Sequence, residues 1–190
     1  MPISSSSTGQ HNYNRDIIYC DDKVMQIPVV SLPRNTTTLE SSFHPKKVLV
    51  LSKITRYEFE KHKHPKFDDE QLQVMLRRRG TDYYQMLSKH RVHCNYLQTI
   101  QEELEKAGME SRVVQRFDYT EELIDWADVV MTAGGDGTFL RAASRIHGRN
   151  KPVIGINTDP QGSEGHMCLM RKLPMEHFRS ALHRLLNGDF

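Results

Sequence analysis

Two spacings alternate along the chain. Lys47-Val48-Leu49-Val50-Leu51 is a short unbroken aliphatic run, the composition of a strand buried on both faces of a sheet. Helical spacing follows: Asp68, Asp69 and Glu70 precede Leu72, Met75 and Leu76, and Arg77, Arg78 and Arg79 close the segment before Gly80. Acid at the start and base at the end complement a helix dipole. That explains the triple arginine better than a nucleic-acid patch does. Thr81 is placed to cap a second helix, whose apolar stripe Leu87, Cys94, Leu97, Ile100 and Leu104 ends at Gly108. This reading puts Cys94 in the core. It leaves His90 and His93, like His62 and His64, on solvated surface, because no acidic or thiolate cluster accompanies either pair at metal-binding spacing.

Strand and helix then alternate. The pattern predicts strands over residues 112–115, 127–133 and 152–157, and helices over 120–125 and 138–147, with a last helix behind Pro174 carrying Phe178, Ala181, Leu182, Leu185 and Leu186 on one face. Parallel strands need crossover connections, so this order implies an α/β fold: a parallel, Rossmann-like sheet covered by helices over residues 45–190. Residues 1–44 differ, with a serine run from Ser4 to Ser7 and little periodicity, and are expected to be a mobile arm. Their apolar stretch 24–32 holds Pro28 and Pro33, which cannot donate ladder hydrogen bonds.

Composition narrows the function classes. Lys+Arg 26 against Asp+Glu 24 gives +2 over 190 residues, so no global field favours nucleic acid or an anionic membrane. No apolar run approaches the roughly 20 residues that span a bilayer. Three cysteines, Cys20, Cys94 and Cys168, form no CxxC pair, which suits a reducing compartment. The first arginine is Arg15, with Asp16, Asp21 and Asp22 close behind, unlike a mitochondrial presequence.

The chemistry concentrates in Val129-Val130-Met131-Thr132-Ala133-Gly134-Gly135-Asp136-Gly137-Thr138, a glycine-rich turn between a buried strand and a helix. At the carboxyl edge of such a sheet, glycines let backbone approach an anion and a helix start offers unpaired N–H groups. It is neither a P-loop nor a dinucleotide fingerprint, since Gly-Lys-Ser/Thr and Gly-x-Gly-x-x-Gly are both absent. Asp136 would repel a phosphate unless it binds a metal or accepts a proton from a substrate hydroxyl, and both roles belong to phosphoryl transfer. The plainer alternative is that Asp136 caps the following helix.

Gly134-Gly135-Asp136-Gly137-Thr138 resembles the signature of the NAD kinase family, shared with diacylglycerol, sphingosine and 6-phosphofructokinase relatives. Pro152-Val153-Ile154-Gly155-Ile156-Asn157-Thr158-Asp159-Pro160, leading to Ser163-Glu164-Gly165-His166, and Lys53-Ile54-Thr55-Arg56-Tyr57-Glu58-Phe59-Glu60 resemble the mitochondrial type. The resemblance implies transfer of the ATP γ-phosphate to the 2′-hydroxyl of NAD, with Mg²⁺ on the donor phosphates. Asp136 is then the proton acceptor, Gly134, Gly135, Gly137 and Thr138 line the nucleotide site, and Asn157 is a ligand contact. Arg141, one turn beyond the glycines, is either a phosphate contact or a solvated helix residue. Glu164 and His166 stay outside the catalytic set.

Chains of that family continue into a β-rich domain with an Asn-Glu or Asn-Asp motif that grips NAD. No such motif follows here, so the sequence resembles an N-terminal portion, expected to have little activity alone. The alternatives are a fragment of a lipid kinase, which would need an apolar acceptor cleft for which the sequence gives no signal, and a non-catalytic module that modulates longer subunits. Partners are expected to be small-molecule nucleotides, not nucleic acid or membrane, with homo-oligomer formation left open. The mitochondrial-type motifs point to mitochondria and the acidic N-terminus to the cytosol.

Overall fold

The computed structural model describes residues 43–148, 150–171 and 174–188, all within one compact unit, Ser41–Phe190. Apart from Phe43 and His44, the arm expected over residues 1–44 lies outside the described residues.

Five strands form one all-parallel sheet: β1 (Lys47–Ser52), β2 (Glu110–Val114), β3 (Val129–Ala133), β4 (Val153–Ile156) and β5 (Cys168–Met170), in the order β2-β1-β3-β4-β5. From β1 the chain moves to one side for β2 and then crosses to the other for β3. The order therefore reverses between β1 and β3, and in open α/β sheets ligands bind outside the carboxyl ends at such a reversal.

Helices cover both faces. Side chains alternate across each strand, so Val48, Val50, Val129, Met131 and Ala133 face one way, against Ile100 and Leu104 of α3 (Tyr83–Lys106) and Phe178, Leu182 and Leu185 of α6 (Phe178–Leu186). Leu49, Leu51 and Val130 face the other way, against Ile124 of α4 (Glu121–Trp126) and Ala142 of α5 (Asp136–Ala143). Each fully buried aliphatic side chain contributes about 1.5–3 kcal/mol, which is why the run from Val48 to Leu51, wholly enclosed, is the centre of the sheet.

The elements depart from the sequence pattern as follows. A helix α1 (Arg56–Lys63), too polar to show an apolar face, starts at a Thr55–Glu58 capping box. After α2 (Asp69–Arg78), whose last turn holds Arg77 and Arg78 as the dipole argument requires, α3 is capped by Asp82 and not by Thr81. Helix α5 begins at Asp136 and ends at Ala143, earlier at both ends than the expected 138–147. Finally, β5 adds a fifth strand only three residues long, below the length at which a periodic pattern can be read.

Candidate functional site

Backbone hydrogen bonds fix the glycine turn from both sides. Lys53 N–H donates to the Ala133 carbonyl at 2.9 Å, and Gly134 N–H to the Ile156 carbonyl at 2.9 Å, so the ends of β1, β3 and β4 are drawn together. Close packing explains two of the glycines. A Cβ on Gly134 would lie 2.3 Å from Thr138 Oγ1 and 3.2 Å from the Cβ of Lys53, and one on Gly135 would lie 2.7 Å from Ser163 Oγ. A Cβ on Gly137 would meet nothing within 4 Å.

Gly135 is the N-cap of α5 and Asp136 its first residue, with no side-chain cap bond; Asp136 does not cap the helix. Its half-buried carboxylate reaches instead to the loop between β4 and β5, accepting the amide of Met167 at 2.8 Å and of His166 at 3.1 Å. A carboxylate has about four acceptor positions, so Asp136 retains capacity for a hydroxyl proton donor. Its negative charge, after burial, helps push the Cys168 thiol up to about 11, and that thiol lies 3.8 Å from the Gly134 carbonyl.

Asn157 is fully buried at the end of β4. Its Nδ2 donates to the carbonyls of Ser163 at 3.0 Å and Arg171 at 2.7 Å, and its Oδ1 accepts the Asp159 amide at 3.1 Å. A Cβ on Gly165, where φ is +60°, would come within 2.6 Å of that Nδ2. The structure therefore places Asn157 as the tie that closes the β4–β5 loop. Arg141 is exposed in the last turn of α5. Where strands β1, β3 and β4 end, this leaves one carboxylate in a glycine turn, a second loop held against it, and Lys53 beside them.

Residues 60–190 match the domain family described as ATP-NAD kinase N-terminal domain. The chain belongs to the ATP-NAD kinase family. It is 42% identical over 153 residues to "NAD kinase 2, mitochondrial" of Mus musculus, covering 80% of this chain and 34% of that protein. The corresponding protein of Xenopus tropicalis is 39% identical over 174 residues, 90% of this chain and 40% of that one. A "NAD kinase" of Corynebacterium jeikeium is 36% identical over 76 residues, 40% of this chain and 21% of that protein. The chain thus spans well under half the length of these relatives.

Within this NAD kinase family member, the side chain that sequence reasoning misplaced is His93. It is buried, 1% exposed, with Nε2 2.9 Å from Ser52 Oγ and Nδ1 2.9 Å from Thr158 Oγ1. It ties the end of β1 to the loop after β4. Burial, with the charge of Lys53 next, lowers its pKa to about 4, so it stands as neutral imidazole between two hydroxyls. His90 is half-buried too, 2.9 Å from Thr55 Oγ1 and against the Tyr57 ring at 4.8 Å. Cys94, expected inside, is exposed. The signal that could have found His93 is its phase: Met86, His93 and Ile100 recur every seventh residue, and all three are buried.

Three cavities surround this region. One of about 490 Å³ lies at the end of β1 beside Lys53, and one of about 500 Å³ lies across Asp159 from it. The third, about 960 Å³, is apolar and runs along β4 and β5 past Phe139, Ile154, Met167 and Leu169. No run or period of apolar residues signals that cleft in advance.

Proposed function

We propose that this chain carries the phosphate-handling site of an ATP:NAD 2′-phosphotransferase. The observation that supports the reading most is the Asp136 carboxylate, standing in a glycine turn where the strand order reverses and held by two amides with acceptor positions to spare. The turn backbone and Thr138 cradle the ATP phosphates, and Gly137, facing open space, lets them approach. The NAD 2′-hydroxyl gives its proton to Asp136 as its oxygen bonds to the γ-phosphorus. The bond from that phosphorus to the β–γ bridging oxygen breaks, and ADP leaves with its electron pair. Positioning and charge neutralisation supply most of the acceleration in such transfers. Among the described residues no three His, Cys, Asp or Glu side chains converge, so a Mg²⁺ ion would be held chiefly by the nucleotide phosphates. When bound it supplies neutralisation of phosphate charge.

The test is transfer of label from γ-labelled ATP to NAD. Label in NADP, even at the low rate expected of this chain alone, supports the reading; label absent from NAD while both nucleotides bind, in this chain and in one extended to the length of its relatives, overturns it. The apolar cleft along β4 and β5 gives the lipid-kinase reading an acceptor site of fitting character, so diacylglycerol belongs in the same assay. The family and the named relatives favour NAD. Two of those relatives are named as mitochondrial, which supports mitochondrial residence here; fractionation of cells expressing the protein checks it against the cytosol.

A further inference from the structure

The cavity at the end of β1 is lined by three cations, Lys53, Arg56 and Lys89, and by two carboxylates, Asp159 and Asp82, the latter engaged in capping α3 through the Gln85 amide. Asp159 is already engaged: its Oδ1 accepts the Gly162 amide at 3.0 Å. Its Oδ2 lies 3.8 Å from both Lys53 Nζ and Lys89 Nζ. At that separation an ammonium is attracted but not hydrogen-bonded, so both lysines keep their donors. Among the described residues neither ammonium has another partner. Two positive charges thus straddle one carboxylate oxygen, at the edge of an open cavity.

Placement gives the pair its meaning. The Lys53 Cβ packs beside the glycine turn, 3.2 Å from where a side chain on Gly134 would begin. Lys53 follows directly on β1, and Asp159 sits two residues beyond Asn157 at the end of β4, so the pair spans the strands on either side of β3. Lys53 is only 23% exposed, whereas Lys89 on α3 is 50% exposed. Burial lowers the Lys53 pKa; Asp159 opposes that, and Lys89 adds to it more weakly.

We propose that Lys53 and Lys89 form a clamp for the polyphosphate chain of a nucleotide, with Asp159 holding them in place until the phosphates arrive. A triphosphate carries several charges against the one of Asp159, and it displaces the carboxylate from the two ammoniums. The inference rests on the phosphoryl-transfer reading for the identity of the ligand. It adds residues that the glycine turn does not include.

The experiment is calorimetric titration of the full 190-residue chain with inorganic tripolyphosphate and with ATP, for wild type, Lys53→Gln, Lys53→Arg, Lys89→Gln and Asp159→Asn. Glutamine keeps the Cβ beside Gly134 while removing the charge. Lys53→Gln should weaken both ligands about tenfold or more, as expected for a charge-assisted contact in a partly buried place. Lys53→Arg should restore most of the affinity. Lys89→Gln should cost about threefold, its exposure screening it. Asp159→Asn should tighten binding about threefold, because the competing carboxylate is gone. A structural strut predicts the opposite sign, so weaker binding in Asp159→Asn overturns the clamp. Unchanged affinity in Lys53→Gln and Asp159→Asn, with ATP still bound, overturns it and leaves the kinase reading standing. Failure of wild type to bind either ligand also overturns it. Lys53-dependent tripolyphosphate binding, with no transfer to NAD even in a chain extended to the length of its relatives, keeps the clamp and removes the kinase reading.

Discussion

Two segments meet at Asp136 and are held by different means. The turn from β3 into α5 is a local object: a buried strand feeds it, glycines let Thr138, Lys53 and Ser163 close on it, and α5 starts within it. The loop between β4 and β5 has no regular structure and is held from outside. Asn157 grips the carbonyls of Ser163 and Arg171, Thr158 is tied through His93 to Ser52, and the amides of His166 and Met167 rest on Asp136. The difference teaches that the proposed proton acceptor is also an anchor of the second loop. Chemistry and loop order are coupled through one carboxylate.

Replacing that carboxylate strains the comparison most. Asp136→Asn removes the proton acceptor and turns an N–H₂ toward one of the two loop amides. NADP formation should fall by about 10²–10⁴, the usual contribution of a positioned base, with ATP affinity altered far less. Turnover that survives the change would sink the assigned role. Asn157→Ala attacks the loop alone: two carbonyls lose their donor at about 1–3 kcal/mol each, so urea unfolding should show a loss of about 3 kcal/mol. A loss under about 1 kcal/mol would mean that the loop is not held this way.

His93 makes the loop sensitive to acid. Its folded pKa, about 4, lies below the ordinary 6.5, so its contribution is complete above about pH 6.5. As pH falls toward 4 the unfolded chain takes a proton that the folded one refuses, and stability is lost. Between about pH 7 and pH 5 the cost is about 2 kcal/mol. In His93→Gln that portion of the pH dependence should vanish from the unfolding curves, and its persistence would assign the titration to another group. The smallest effect separates the glycines of the turn. Gly134→Ala drives a Cβ into Thr138 and should destabilise by about 1–3 kcal/mol. Gly137→Ala meets only open space, and within the first turn of α5 it should be neutral or stabilising by up to about 1 kcal/mol. A weaker grip on ATP in this second variant would show that Gly137 is glycine for the sake of the ligand.

Much of the fold was legible where apolar side chains are packed against strands, because burial writes itself as period and run. Val48 to Leu51, the α3 residues Ile100 and Leu104, and Val129 to Met131 all read correctly as core. The helix α1 was missed because its signal is a cap, Thr55 with Glu58, in place of an apolar stripe. On α3 hydrophobicity placed Cys94 inside and His93 outside. The hydroxyls of Ser52 and Thr158 reverse that order, since they meet both ring nitrogens and remove most of the cost of burying them.

By itself the sequence determined the parallel α/β order and the glycine turn with its one carboxylate, because both are written in contiguous residues whose burial and backbone freedom are local properties. Only the tertiary structure decided that Lys53, Lys89 and Asp159 stand together, that His93 bridges two strand ends, and that Asp136 holds the amides of His166 and Met167. Those contacts join residues far apart in the chain, and polar groups find such partners only after the apolar faces have set where each strand ends.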